Sequence, residues 1–356
     1  MTDILEYYNR KSKVLYLSQH CSILSPEIRF FTQLKKLDLS WNSKLCFLPN
    51  EIGKLRQLEH LNLTKTRLLT LPTEIENLTK LKKIILSNND IILPPEFWKL
   101  TQLTYLDISL TKLTMLPVGI EQLVNLQILI ASCNNIKSIQ PEIGQLTQLK
   151  QLNLHNNKLI ILPHEIGKLT ELNRLLVSFN NLVSLPPCIG NLNKLECLYL
   201  DVNNLTALPS EIRYLKQLIY LDLSRNKLVN IPIEFTELNQ LKYLYLTKNK
   251  LVSLPSEITN MRQLRYFKYH DNPIENNPII KRFISRLDLE QDNRSTLYTN
   301  QYENSIHNPS DSEEIENIIS TIKNKYDEYL IKENVHIELK ERGYENDTIE
   351  EWLEYI

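Results

Sequence analysis

Glycine is scarce in this chain, with only six glycines among 356 residues. Phosphate-binding loops need closely spaced glycines, because side chains would keep the backbone away from the phosphate oxygens. The seven histidines show no metal-ligand spacing, and no serine or cysteine stands in a nucleophile motif. These absences predict a protein that is not an enzyme and that uses neither a cofactor nor a metal.

Long apolar runs and clustered cysteines are missing as well. No apolar stretch approaches the roughly 18 residues that a membrane helix needs, and no secretory signal pattern opens the chain. The five cysteines are scattered along the chain, so we expect reduced thiols. Together these absences predict a cytoplasmic protein that does not associate with membranes.

An excess of one charge is also missing, since the formal net charge at pH 7 is −1. Residues 287–356, however, contain 6 Lys/Arg and 18 Asp/Glu, whereas residues 1–286 contain 35 and 24. Either the acidic segment docks on the basic one and screens it, or both are solvated surfaces without contact. Because the basic charges are dispersed and no nucleic-acid motif is present, nucleic acid is not an expected partner.

What the chain does contain is a 23-residue repeat, most regular at 149–171 with the sequence LKQLNLHNNKLIILPHEIGKLTE. Leucine-type residues stand at positions 1, 4, 6, 11 and 14, followed by a proline near 15, an isoleucine near 18 and a leucine at 21. This pattern, at a period of about 20–29 residues, is the leucine-rich-repeat signature. The copies begin at Leu34, Leu58, Leu81, Leu103, Leu126, Leu149, Leu172, Leu195, Leu218, Leu241 and Leu264.

Each copy predicts one coil of a solenoid. The alternation of apolar and polar residues over 151–155 is typical of a short strand with one buried face. The proline and the E-I-x-x-L after it indicate a short helical or extended return segment. A single coil cannot fold alone, whereas stacked coils share a continuous core. We therefore expect an α/β fold: a leucine-rich-repeat horseshoe with a concave parallel β-sheet and a small C-terminal helical region.

Position 9 of the repeat is asparagine in nearly every copy. A buried amide can donate to and accept from backbone groups of adjacent coils that would otherwise lack partners. We interpret this column as a structural ladder and expect a looser stack where Thr66 and Thr111 replace the amide. The ladder comprises Asn42, Asn89, Asn134, Asn157, Asn180, Asn203, Asn226, Asn249 and Asn272.

Composition divides the chain into four parts. Residues 1–33 are expected to form an N-terminal cap with a degenerate first coil, and residues 34–287 the repeat array with a capping helix at its end. Residues 288–309 are polar and predict a linker. Residues 310–356 start with a capping-box pattern and continue with apolar residues at helical spacing, which predicts an acidic helical tail. Its apolar stripes either pack on each other or bind a partner.

Solvent-facing side chains of the concave sheet should come from positions 3, 5, 7 and 8 of each copy. They are mostly polar in the first copies and become apolar and aromatic from the middle onward. Tyrosine and arginine are enriched at binding hot spots, although tyrosine also suits strands and stacks along its own column. The predicted partner-binding residues are Ile128, Ile130, Arg174, Leu176, Phe179, Tyr199, Val202, Tyr220, Arg225, Tyr243, Tyr245, Lys248, Tyr266 and Lys268.

The return sequence L-P-x-E-I-x-x-L, present at 71–78, 162–169, 208–215 and 254–261, resembles that of the intracellular Ras-group leucine-rich-repeat proteins. The resemblance covers roughly residues 11–286 and rests on core residues. It implies a non-catalytic scaffold whose concave face holds a signalling protein, such as a small GTPase. We expect such a module to be monomeric.

Similar repeats also occur in bacterial effector ubiquitin ligases, which need a catalytic cysteine in a separate domain. The last cysteine here is Cys197, inside the array, so the resemblance does not extend to that activity. The alternative function is a substrate-recruiting adaptor, or a pathogen or viral effector that acts on host proteins.

Overall fold

The structure is a computed structural model, and it describes residues 10–18, 21–274, 278, 280–283, 285 and 287. The chain divides into two compact units, Met1–Leu287 and Asp288–Ile356, and every described residue belongs to the first. The predicted linker at 288–309 and the predicted helical tail at 310–356 lie outside the described residues.

One parallel sheet carries the fold, with twelve strands in the part of the chain that the structure describes. Each strand pairs with its neighbours in the chain, and the register advances by one repeat, as in Gln151↔Arg174. The predicted leucine-rich-repeat solenoid is confirmed. The strands are β1 (Val14–Tyr16), β2 (Lys36–Asp38), β3 (His60–Asn62), β4 (Lys83–Ile85), β5 (Tyr105–Asp107), β6 (Ile128–Ile130), β7 (Gln151–Asn153), β8 (Arg174–Leu176), β9 (Cys197–Tyr199), β10 (Tyr220–Asp222), β11 (Tyr243–Tyr245) and β12 (Tyr266–Lys268).

The central residue of each strand points into the core. In β7, Leu152 is fully buried while Gln151 before it is half-buried, as expected for side chains that alternate across a sheet. The strands span positions 3–5, which is shorter than the stretch 151–155 that alternation predicts. Pairing nevertheless continues past the strand, because the N–H of Leu154 donates to the carbonyl of Leu176 over 2.8 Å.

Each coil from β1 to β11 returns through a 3-10 helix of one turn or slightly more. Pro163 has extended backbone immediately before His164–Lys168, and the N–H of Leu169 donates to the carbonyl of Ile166 where the helix ends. Proline suits this place because its fixed φ favours the start of a helical turn. The 3-10 helices are Pro26–Phe30, Asn50–Lys54, Thr73–Asn77, Pro95–Lys99, Ile120–Gln122, Pro141–Gln145, His164–Lys168, Pro187–Asn191, Ser210–Tyr214, Ile233–Glu237 and Ser256–Asn260.

The return after β5 departs from this pattern, since its helix covers only Ile120–Gln122. Gly119 before it has a φ of 103°, which side-chain-bearing residues rarely adopt. A Cβ atom at Gly119 would also lie 2.4 Å from Cδ1 of Trp98, a residue that is 5% exposed. Both the backbone and the packing of Trp98 therefore require glycine at this position.

Different elements close the two ends of the described array. At the N-terminal end, β1 belongs to the degenerate coil and pairs Leu15 with Leu37 of β2. The sheet therefore has one strand more than the eleven copies that leucine spacing identifies. At the other end, the described residues between 278 and 287 are helical, and Ile280, Phe283 and Leu287 belong to the core.

The asparagine column links consecutive coils through side-chain hydrogen bonds. Asn157 donates from Nδ2 to the carbonyl of Ala131 in the preceding coil (2.9 Å) and to that of Leu154 in its own coil (3.1 Å). Its Oδ1 accepts from the N–H of Ile136 in the preceding coil (2.9 Å). One amide thus satisfies three buried backbone groups and fixes the spacing of two coils.

Candidate protein-interaction surface

The concave face is the sheet face that carries positions 3 and 5 of each coil, extended by positions 7 and 8 after the strand. Its chemical character changes along the array, because the residues at position 3 change from lysine and histidine near one end to tyrosine near the other. Position 3 is Lys36, His60 and Lys83 in β2–β4, and Tyr220, Tyr243 and Tyr266 in β10–β12.

Five tyrosines from β9–β12 form what we call the tyrosine cluster: Tyr199, Tyr220, Tyr243, Tyr245 and Tyr266. The rings of Tyr199 and Tyr220 stack with centroids 4.6 Å apart. Tyr245 lies 5.4 Å from Tyr220 and 5.2 Å from Tyr266, in tilted arrangements. Such distances are favourable for aromatic pairs. Since all five residues are half-buried, the cluster is packed within itself and still presents ring surface to solvent.

Parallel register with a fixed period explains how the cluster forms. Tyr220 pairs with Tyr243, and Tyr243 pairs with Tyr266, so one row of position 3 is aromatic. In the neighbouring row of position 5, Tyr199 and Tyr245 stand on either side of Asp222. Adjacent strands lie about 4.8 Å apart, so rings from the two rows interleave.

Asp222 is thus a carboxyl group enclosed by tyrosines. Burial, followed by the nearby charge of Asp201, raises the pKa of Asp222 to about 6, while hydrogen bonds from Ser224 act in the opposite direction. The backbone N–H of Ser224 donates to Asp222 Oδ1 over 2.8 Å. Within the described residues, Asp222 has no ion-pair partner. Asp201 accepts a hydrogen bond from the hydroxyl of Ser178.

The phenol groups of Tyr220 and Tyr245 remain protonated at neutral pH. Burial is the main cause that raises the pKa of Tyr220, and the charge of Asp222 adds to it. Burial likewise raises the pKa of Tyr245, followed by the neighbouring Tyr266. A protonated phenol can donate and accept a hydrogen bond, so the cluster combines apolar ring faces with polar edges.

Cationic side chains stand around this aromatic and acidic centre. Lys268 places Nζ 5.0 Å from the ring centroid of Tyr266, within the range of a cation–π interaction. Arg225 and Lys248 are exposed at position 8 of their coils, and Arg174 is half-buried in β8. These four residues, which the sequence predicts to bind a partner, therefore lie in the same coils as the tyrosines or in the coil next to them.

Position 8 has left-handed backbone in every coil from β2 onward. Its φ is 53° at Phe179, 52° at Val202, and 54° at Arg225 and Lys248. This region is uncommon for residues other than glycine and is an outlier for a β-branched residue such as Val202. The turn lets position 9 enter the asparagine ladder while leaving position 8 at the margin of the concave face, where Phe179 is 41% exposed.

Two predicted partner-binding residues are not solvent-facing, which corrects the expectation from sequence. Ile130 and Leu176 are only 7% and 6% exposed. Position 5 lies in the middle of the sheet face, and Asp107 in β5 and Asn153 in β7 are equally covered there. Side chains of adjacent rows cover this position from β4 to β8, whereas the residues at position 5 in β2 and β3 are half-buried.

Ile128 and Phe179 lie outside the tyrosine cluster. Ile128 is half-buried in β6, and Phe179 has its ring centroid 5.0 Å from that of His155 in the preceding coil. The sequence interpretation did not include Asp201 and Asp222. The sequence contains a signal for Asp222, because it stands at position 5 and tyrosines occupy position 5 of the preceding and the following copy.

The described residues contain no group of three or more His, Cys, Asp or Glu side chains that could hold a metal ion. Nor do they contain a helix long and apolar enough to cross a membrane.

Family profiles match three stretches of the chain. A profile for a leucine-rich repeat region matches residues 188–288, and profiles for leucine-rich repeats match 124–182 and 33–55. Together with the coil geometry, these matches decide the family. The chain is a leucine-rich repeat protein. No curated protein matches this leucine-rich repeat protein.

Solved structures with the same fold include proteins of different roles. An internalin (inlF) from Listeria monocytogenes has a TM-score of 0.65 and 20% identity, over 76% of this chain and 84% of the internalin chain. TLR13 in its complex with ssRNA13 has a TM-score of 0.61 and 26% identity, over 70% and 38%. The plant peptide hormone receptor RGFR1 in complex with RGF2 has a TM-score of 0.58 and 30% identity, over 76% and 48%. This leucine-rich repeat protein thus spans less than half of the TLR13 chain and less than half of the RGFR1 chain.

Proposed function

We propose that this chain is a non-catalytic scaffold module that binds a protein partner on its concave face, centred on the tyrosine cluster. The observation that carries the proposal is the cluster itself, with five interleaved tyrosines that remain partly exposed. Aromatic side chains supply large contact area with few rotatable bonds, and they dominate the energetics of protein interfaces.

The packing of the rings adds to this argument. Because Tyr220 is held between Tyr199, Tyr243 and Tyr245, little conformational freedom is left for it to lose when a partner binds. A surface that is ordered before binding gains affinity, since less ordering cost offsets the new contacts. Arg225 and Lys248 at the margin are exposed and suit the role of a polar rim.

The similar structures offer two ligand classes, and the charges favour one of them here. The plant peptide hormone receptor RGFR1 is in complex with RGF2, whereas TLR13 is in complex with ssRNA13. Asp222 lies between Tyr199 and Tyr245 in the cluster, where its charge would repel the phosphates that supply most of the affinity for nucleic acid. This repulsion supports a protein or peptide partner.

The finer assignment follows the L-P-x-E-I-x-x-L resemblance. We propose a Ras-group scaffold that acts in the cytoplasm as a monomer, with a small GTPase as one candidate partner and a role in signalling. The resemblance lies in core residues and the tyrosine cluster in surface residues, so the two arguments are independent. A pull-down with small GTPases loaded with a GTP analogue or with GDP tests this assignment directly.

A display library of random peptides, selected on the full chain, tests the central proposal without a known partner. We expect the selected binders to lose affinity for the triple variant Tyr220→Ser, Tyr243→Ser and Tyr266→Ser. The matched control is Ile160→Ser, Ile161→Ser and Val183→Ser, because these side chains are 54%, 56% and 44% exposed and lie outside the concave face. Both variants are first compared with wild type by circular dichroism and thermal melting.

The proposal is wrong if the folded tyrosine variant keeps the selected binders, or if the control variant loses them equally. An adaptor or effector role on host proteins remains the alternative, and it would use the same surface for a different purpose.

A further inference from the structure

The aromatic residues of the concave face differ in what covers them. Lys65 places Nζ 3.8 Å from the ring centroid of Trp41, and Lys83 places it 4.1 Å from that of Tyr105. At the edge of the tyrosine cluster, Lys268 contacts Tyr266 in the same way. The chain therefore uses its own lysines to cover three aromatic faces on this surface, which shows the chemistry that these faces accept.

The centre of the tyrosine cluster has no such lysine. The ring contacts of Tyr220 and Tyr245 in the described residues are with other tyrosines. Between them in the sheet stands Asp222, whose Cα partners are Tyr199 in β9 and Tyr245 in β11. Asp201 lies close enough for its charge to act on both Asp222 and Tyr220.

The carboxyl group of Asp222 lies between tyrosines in a half-buried place. Asp222 has no cation of the described chain paired with it, and its hydrogen bonds come from Ser224. A carboxylate that is partly removed from water gains most from a cation that also fills the space above it. The concave face thus has charge complementarity to a basic group at this one place.

We propose that Asp222 and the rings of Tyr199, Tyr220 and Tyr245 form a subsite for a basic side chain of an extended protein segment, arginine in preference to lysine. This inference rests on the proposed function and adds the chemistry of the partner.

Arginine suits the subsite better than lysine for geometric reasons. Its guanidinium group is planar, so it can lie against a tyrosine ring while its N–H groups still donate in a fork to a carboxylate. Lysine presents a point charge that is more strongly hydrated. The exposed Arg225 and Lys248 at the margin would repel a second basic residue nearby, so the fitting segment carries isolated arginines rather than a basic run.

The test uses fluorescence anisotropy with the full chain at near-physiological salt. The probes are labelled peptides in which glycine alternates with arginine, lysine, citrulline or glutamate. We expect the arginine peptide to bind most tightly, the lysine peptide more weakly, and the neutral and acidic peptides weakest. The substitutions Asp222→Asn and Tyr220→Leu should each weaken binding of the arginine peptide by about tenfold, because each removes one charge-assisted or stacked contact.

The matched control is Asp38→Asn, since Asp38 occupies position 5 of β2 and therefore undergoes the same chemical change on the same face. Its arginine-peptide affinity should equal that of wild type. Retention of the folded state in each variant is checked by thermal melting. The acidic residues at 287–356 also attract basic peptides, and that attraction is common to all variants, so only the difference between them reports the subsite.

The inference is overturned if Asp222→Asn and Tyr220→Leu both bind the arginine peptide as wild type does. It is also overturned if the citrulline or glutamate peptide binds as tightly as the arginine peptide. Its failure is distinguishable from failure of the proposed function. Library binders that depend on the three tyrosines but not on Asp222 would keep the interaction surface and remove only the basic subsite.

Discussion

The two halves of the concave face use the same columns for different purposes. Around β2–β5, lysines cover aromatic rings through cation–π contacts, as Lys65 does over Trp41 and Lys83 over Tyr105. Around β9–β12, tyrosines pack on tyrosines and enclose Asp222. In the first half, lysines of the same chain cover these rings, whereas in the second half Tyr220 and Tyr245 contact other tyrosines and remain partly exposed.

The hydrogen bonds of the position 9 ladder also differ between the two halves. Asn226 under the tyrosine cluster donates to Leu200 of the preceding coil over 2.9 Å and accepts from the N–H of Leu205 over 2.9 Å. In the first half, Thr66 has its hydroxyl 2.8 Å from Oδ1 of Asn89 in the following coil and 3.2 Å from the carbonyl of Leu63 in its own coil. The coils that support the candidate site are therefore joined more completely.

The largest expected effect tests this difference in the ladder. Asn226→Ala should lower the free energy of unfolding by about 1–3 kcal/mol, because buried backbone groups of two coils lose their partner. Thr66→Ala should cost clearly less, since the hydroxyl makes fewer bonds. Urea denaturation followed by circular dichroism measures both. Equal losses for the two variants would show that the ladder is uniform along the array.

A second prediction concerns Asp222 and pH. Because its pKa in the folded state is raised from 3.8 to about 6, the folded protein binds more protons than the unfolded chain between these values. Stability contributed by this group is therefore lost as pH rises from about 4 to 6. Asp222→Asn should remove that loss and stabilise the protein at pH 7 by about 1–2 kcal/mol, after allowance for partial exposure.

Melting temperatures of Asp222→Asn and wild type, measured from pH 4 to pH 7, check this prediction. The difference in melting temperature between the two proteins should increase as the pH rises. The control is Asp38→Asn, because Asp38 occupies the same position in β2 but accepts hydrogen bonds from the N–H of Ser40 (2.8 Å) and from Asn62 (3.1 Å). A gap that is constant with pH would contradict the assigned titration.

Much of this arrangement could be predicted from sequence, because one period fixes which residues share a column. The leucine spacing predicts the core, and Tyr220, Tyr243 and Tyr266 fall in one row because they are 23 residues apart. Column position alone does not determine exposure, which depends on the size and lean of neighbouring side chains. For that reason Ile130 was expected on the surface and is buried.

The enclosure of Asp222 illustrates the same limit. It depends on Tyr199 and Tyr245 in two different coils and on how far their rings lean, and these packing details are not periodic. The sequence predicts a degenerate first coil within residues 1–33, but its irregular leucine pattern does not locate the strand, which the pairing of β1 with β2 identifies.

A third prediction uses the left-handed backbone at position 8, where the two halves carry different residues. Asn88 in the first half and Val202 in the second have φ of 56° and 52°. Asparagine tolerates this conformation far better than a β-branched residue does. We expect Val202→Asn to stabilise the protein by about 1 kcal/mol and Asn88→Val to destabilise it by a similar amount. Opposite shifts in the urea midpoint would support this account, and shifts of the same sign would refute it.

The smallest effect is expected for Glu59, which forms ion pairs with Lys35 (2.8 Å) and Lys82 (3.0 Å) in the first half. Hydrogen bonds from Lys35 and Lys82 lower the pKa of Glu59 to about 2, so its contribution is present above about pH 4.5 and is lost as pH falls toward 2. Both lysines are at least half exposed, and exposed pairs are screened by water and salt. Glu59→Gln should therefore change the melting temperature at pH 7 very little, and this small change should disappear at high salt. A large decrease in melting temperature that does not depend on salt would mean that the stability of the first half also depends on buried charge. The contrast between the two halves would then disappear.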